Sequence, residues 1–220
     1  MQITYEDVRQ SEEIRTYIRQ ADASLLALGF TEHSFAHVTR CAKVAGDLLL
    51  DLNYDEHTTD LCRIAAFMHD IGNVVNRNDH AQTGAVMAFR ILDKMGMAPA
   101  DVASVITAIG YHDDSTAFPV NAIAAALLLA DKTDVRRTRV RNRDTINFDI
   151  HDRVNFAVEK SDLSLDREGK TVTLTLSINT EVCAVMDYFE IFLNRMLLCR
   201  KAAEVFDLTF KLDINGLTLL

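Results

Sequence analysis

Apolar positions recur every three or four residues through most of residues 6–140, the period of helices with one buried face. Ile14, Tyr17, Ile18, Leu25 and Leu28 form one stripe, which stops at Gly29. Phe35, Val38, Cys41, Ala42 and Ala45 form a second, with Thr31 as its candidate cap. A third helix is expected from about Asp55 to His69, closed by Gly72, and a fourth from His80 to Lys94 ahead of Gly96. Pro99 and Pro119 mark the starts of two more. The first of these reaches about Tyr111, and the second passes through Asp131 into an arginine-rich tail. After residue 144 the pattern changes. "LSLDREGKTVTLTLSIN" has two β-rich arms around a turn, "TEVCAVMDYFEIFLNRMLLCRKAAEVF" reads as a long helix capped by Thr180, and "FDLTFKLDINGLTLL" alternates like a strand with a tight turn at Asn215-Gly216. The expected fold is mainly α: a helical body over 1–144, with a small C-terminal α+β appendage over 145–220 packed on it.

Composition narrows the function. A chain of 220 residues with 49% hydrophobic and 25% charged residues can bury its own core without disulfides. The net charge of −9 argues against a broad surface for nucleic acid or anionic membrane. A small phosphorylated substrate stays open, because bound metal ions would dominate the local field. Cys41, Cys62, Cys183 and Cys199 form no C-x-x-C pair and lie in apolar stretches, as buried reduced thiols do. The longest apolar run, 121–130, is too short to span a bilayer, and "MQITYEDVRQ" lacks a signal pattern. A cytoplasmic location is expected.

Five of the seven histidines stand out as a set. His33 and His37 are four apart and share a helix face, His69-Asp70 ends a helix, His80 opens the next, and His112 ends the one after. Asp131 interrupts a run of ten uncharged residues, where a carboxylate is costly unless paired or ligated. His57 and His151 lie in polar surroundings and read as ordinary surface residues. Imidazole and carboxylate without thiolate suit divalent iron, manganese, zinc, cobalt or nickel.

The ordered set His37, His69-Asp70 and Asp131, with "AAFMHDIG" and "LLLADKTD" around it, resembles the HD superfamily of metal-dependent phosphohydrolases over roughly residues 25–140. "HAQTGA" and "VITAIGYHD" are similar to segments that carry additional histidine ligands in two HD groups, the symmetrical diadenosine polyphosphate hydrolases and the HD-GYP phosphodiesterases. In both groups the extra histidines bind a second metal, with the HD aspartate bridging. The chain departs from both at Asn73, where they place a lysine. His112 is followed by Asp113 and no G-Y-P loop occurs.

The resemblance implies a helical HD domain whose metal ligands are His37, His69, Asp70, His80, His112 and Asp131. It implies cleavage of a phosphate ester or anhydride, in a nucleotide or other small phosphorylated metabolite, by metal-activated hydroxide. Two ions are expected. In the one-ion alternative, His80 and His112 bind phosphate or move protons. Asp70, His33 and Lys132 are the catalytic candidates. His33, Lys132 and Arg139 are the substrate-binding candidates, with helix packing as the other reading of His33 and a solvated basic face as the other reading of the arginine run. Asp113 orients a histidine or caps a turn. A homo-oligomer is possible on this reading. The alternative function is a catalytically weak HD-fold module that binds or senses a nucleotide and acts through its appendage. A purely structural metal is the third.

Overall fold

The computed structural model describes residues 3–141 and 150–219. The change of pattern at residue 144, and Arg143 of the arginine run, lie outside the described residues. The chain divides into two compact units, Met1–Asp131 and Lys132–Leu220.

The first unit is helical. Helix α1 (Tyr5–Gln10) begins with a capping box between Thr4 and Asp7, and Ser11 both ends α1 and caps α2 (Glu12–Ala27). Helix α3 (Phe35–Asp51) is capped by Ser34, not by Thr31. The Ser34 hydroxyl accepts from Ala36 N at 3.2 Å, while the Thr31 carbonyl is taken by His33 Nδ1 at 2.7 Å. Helix α4 (Glu56–Met68) starts on the Asp55 carboxylate, which accepts from Thr58 N at 2.8 Å. A 3-10 helix, Ile71–Val74, follows directly after His69-Asp70. Helix α5 (His80–Met95) ends at Gly96 in the left-handed conformation, and α6 (Pro99–Gly110) has its proline in the first turn.

Helix α7 (Ala122–Lys132) starts later than Pro119 suggested, because the Asn121 carboxamide oxygen accepts from Ala124 N at 2.9 Å and sets the first turn there. Its residues Ile123–Ala130 are buried on every face, which accounts for their lack of charge. The helix stops at Lys132 and does not run on into the arginines. Arg139 therefore does not lie two helical turns along from Asp131. It sits in a separate 3-10 turn, Arg137–Arg139, and its Nη1 donates to the Asp134 carbonyl at 2.8 Å.

The second unit holds a helix the periodicity did not reveal, α8 (Ile150–Ala157), then β1 (Val158–Asp166), β2 (Thr171–Ile178), α9 (Val185–Glu204), β3 (Thr209–Ile214) and β4 (Leu217–Thr218). The strands form one sheet in the order β1-β2-β3-β4. β1 and β2 are the expected hairpin. β2 and β3 run parallel, so α9 is the crossover between them. Helix α9 begins after Ala184 rather than at Thr180, since 180–183 turn back on Asn179, whose carbonyl accepts from Val182 and Cys183. Asn215 and Gly216 have φ of 55° and 82°, the two positive values of a two-residue hairpin turn. The Asn215 carboxamide also extends the ladder, accepting from Ile178 N and donating to Ile178 O. The mainly helical architecture with a small α+β region is thus the observed one. All four cysteines are buried thiols outside any disulfide, and no described helix is long and apolar enough to cross a membrane.

Candidate metal centre

Five helix ends of the first unit converge on Asp70. His37 stands in the first turn of α3, His69 caps the end of α4, His80 opens α5, His112 follows the end of α6, and Asp131 lies near the end of α7. All four imidazoles and Asp70 are buried.

Asp70 faces two sets of groups with its two oxygens. Oδ2 is 3.2 Å from His69 Nε2 and 3.7 Å from His37 Nε2. Asp131 Oδ1 closes that set, at 3.3 Å from His37 Nε2 and 3.8 Å from His69 Nε2. Oδ1 of Asp70 is 3.6 Å from His80 Nε2 and 3.9 Å from His112 Nε2. His37, His69 and Asp70, and separately Asp70, His80 and His112, each bring ligand atoms within 4.8 Å of one another.

The backbone fixes how the rings are presented. His69 Nδ1 lies 2.7 Å from Ala66 O, His112 Nδ1 2.6 Å from Ile109 O and His80 Nδ1 3.0 Å from Arg77 O. A carbonyl can only accept, so these contacts assign the hydrogen of the neutral ring to Nδ1 and leave Nε2 as a lone pair facing Asp70. Two such Nε2 atoms, of His80 and His112, stand 3.1 Å apart with no proton to share between them. His69 Nε2 and Asp70 Oδ2 are buried without a hydrogen-bond partner. Converging lone pairs and orphaned buried acceptors are what a divalent cation satisfies, so the donor set fits a metal.

Burial disfavours charge on His69, but the Asp70 and Asp131 carboxylates outweigh it and raise its pKa. Burial likewise opposes ionisation of Asp70, yet His69, His33 and His80 hold its carboxyl well below the usual carboxylate range. At His80 burial prevails over Asp70, and its pKa is lowered, which keeps the ring neutral.

One backbone contact makes this convergence possible. A Cβ on Gly72 would lie 2.0 Å from the His80 carbonyl oxygen and 2.5 Å from Gly84 N. A Cβ on Gly84 would meet Gly72 N and His69 O, both at 3.3 Å. Gly72 is therefore not the left-handed helix stop its position suggested. It is a close-approach glycine that lets the 3-10 helix lie against the first turn of α5 and brings His80 to Asp70.

The other candidates are placed as follows. The His33 ring is 5.7 Å from that of His37, and its charge is felt by Asp70. Asp113 Oδ1 is 3.8 Å from His80 Nδ1, and its other oxygen caps Ser115. Lys132 and Arg139 are buried residues of the second unit. Arg136 pairs with Asp134, and Arg137 donates to Phe156 O and stacks on the Phe156 ring, so these two are engaged within their own unit rather than forming a solvated face. His57 pairs with Asp101 at 2.9 Å, an exposed contact away from the centre. Arg77 is a site residue that the sequence pattern does not mark. Its Nη1 donates to Asn73 Oδ1 at 3.1 Å and approaches His80 Nε2 at 3.4 Å. Asn73 Nδ2 in turn donates to Asp70 Oδ1 at 2.8 Å.

A helical unit with histidines and aspartates gathered at its helix ends defines a class of metal-centred helical protein. Within that class the assignment is specific: a model of the HD domain matches residues 34–154, more than half of the chain, and the chain belongs to the HD domain family. HD domains bind divalent metals, and the superfamily is one of metal-dependent phosphohydrolases. No curated protein matches the chain.

Proposed function

We propose that the protein is a phosphohydrolase acting on a phosphate ester or anhydride of a nucleotide or similar small phosphorylated metabolite, with two divalent ions. The observation that carries this is Asp70, whose two oxygens face two separate sets of imidazole lone pairs. His37, His69, Asp70 and Asp131 would hold one ion, and Asp70, His80 and His112 the other. Bound there, the ions supply Lewis-acid chemistry, acidifying water and drawing charge from phosphate oxygens.

The protein's own groups do the rest. The Nδ1–H contacts to Ala66, Ile109 and Arg77 carbonyls keep the rings from turning. The Asn73 carboxamide holds Asp70 Oδ1 in place. His33, beside His37, is positioned to contact phosphate or pass a proton to a leaving oxygen.

The test is to purify the protein, measure bound metals, and assay an aryl phosphate and a panel of nucleotides with manganese or iron. Turnover of at least one is expected. A metal-loaded protein that hydrolyses none of them overturns the proposal. Thermal stabilisation by a nucleotide recovered intact would instead establish a binding module.

A further inference from the structure

Arg77 lies in the turn between the 3-10 helix Ile71–Val74 and α5, half-buried, with its guanidinium carbon 5.6 Å from the centroid of the Phe30 ring. Among the described residues no carboxylate lies within ion-pair distance of it, and Nη1 makes both of its hydrogen bonds, to Asn73 and to His80. A guanidinium stays charged at any working pH and presents five N–H groups in a planar fork. Here is an uncompensated, preorganised cation whose nearest neighbours are the amide that holds Asp70 and a candidate ligand imidazole.

The contact with His80 is informative in itself. His80 Nδ1 is committed to the Arg77 carbonyl, so the ring has one lone pair left, on Nε2. Arg77 Nη1 takes part of that lone pair, and an ion held by His80 and His112 would need the same one. Arginine and metal therefore compete for a single acceptor. When the ion wins, the fork loses a partner while its position over Phe30 and beside Asn73 is kept.

Resting on the phosphohydrolase reading above, we propose that Arg77 binds the substrate's phosphate: it releases His80 when the His80–His112 group is loaded, and its freed N–H groups take phosphate oxygens at the edge of the centre. The planar fork matches two oxygens of one phosphate. Phe30 supports the guanidinium from one face, which limits the entropy lost when it binds. The cation absent from position 73 is thus supplied one turn of chain further on.

The experiment measures inorganic phosphate binding to the manganese-loaded protein by calorimetry, with metal content determined in parallel. Arg77→Gln is expected to weaken phosphate binding by about ten- to a hundredfold, the loss for a hydrogen bond to a charged group. Arg77→Lys, which keeps the charge but not the fork, should fall between. Metal content should hold in both variants, and manganese should bind the Arg77→Gln protein at least as tightly as the wild type, because a competing donor is gone. Unchanged phosphate affinity in Arg77→Gln, or loss of metal from it, overturns the proposal. The two readings separate cleanly. Arg77-dependent phosphate binding without turnover of any ester sinks the hydrolase and leaves the phosphate site standing. Turnover with phosphate affinity indifferent to residue 77 does the reverse.

Discussion

His37 and His69 reach Asp70 Oδ2 from two regular helices, α3 and α4, and share that set with Asp131 on the apolar α7. His80 and His112 reach Asp70 Oδ1 from helix ends whose placement depends on turns, one of them held by the Gly72–Gly84 contact and crowded by Arg77. The first set is built by helix packing, and a shift there would disturb the core. The second is built at turns between helices, and there Arg77 already shares the His80 lone pair. A site of this kind combines a fixed half with an adaptable half, and the two meet in one carboxylate.

The change with the largest expected effect removes what the halves share. Asp70→Ala should empty both groups and lower turnover by roughly a thousandfold or more, since metal contributes several kcal/mol to such barriers. Metal analysis and a steady-state assay check this, with circular dichroism expected to stay helical. Retention of a full metal complement would show that the halves do not depend on Asp70.

Gly72→Ala should come next. Its Cβ has no space against backbone atoms, so the α5 turn must move. A loss of about 1–3 kcal/mol of stability is expected, the usual cost of overfilling a packed site. In the variant, His80–His112 metal should be lost in preference to the His37–His69 metal. Thermal melts and metal stoichiometry report the two effects separately.

A comparison of single ligand variants is a finer probe. His112→Ala should lower the metal bound per chain yet leave the His37–His69 group loaded. His37→Ala should also loosen the fold, because its buried ring stands within helix α3, whereas His112 lies beyond the end of α6. Equal stability of the two variants in chemical denaturation would contradict the fixed-and-adaptable division.

The smallest effect is on proton binding in the metal-free protein. His69 should titrate above the ordinary histidine value of 6.5 and His80 below it. The raised His69 value means that its pairing with Asp70 adds stability at pH below 6.5, which is lost as pH rises through its folded value. The lowered His80 value works the other way, costing stability as pH falls below 6.5. NMR titration of the two rings checks the order.

The two halves also differ in how legible they were. The ordered histidines and aspartates stood out because each sits at a helix end or interrupts an apolar run, and helix ends are written in caps, glycines and period. Asp131 was visible for the same reason that it is costly: it is a carboxylate closing an uncharged stretch. Gly72 was misread because close approach of two backbones leaves no periodic trace, and a glycine after a helix looks like a stop. Arg77 was missed because it lies in a turn, where side-chain direction follows from tertiary contacts alone. The parallel pairing of β2 with β3 was hidden for a related reason, since pairing partners far apart in sequence carry no local signal. The length of α7 was overestimated because arginine favours helices and the run after Asp131 holds no proline or glycine to stop one.

The Gly72–Gly84 contact has a consequence for how this region can vary. His80 is held from behind at its own carbonyl by the close approach of Gly72, and at its ring by the Arg77 carbonyl. The main chain of the turn is therefore tied to the ligand, and what can vary there is the side chain at position 77. One residue thus serves the proposed ion through its carbonyl and the proposed substrate through its guanidinium. Selection can retune the second, by exchanging that side chain, without rebuilding the first.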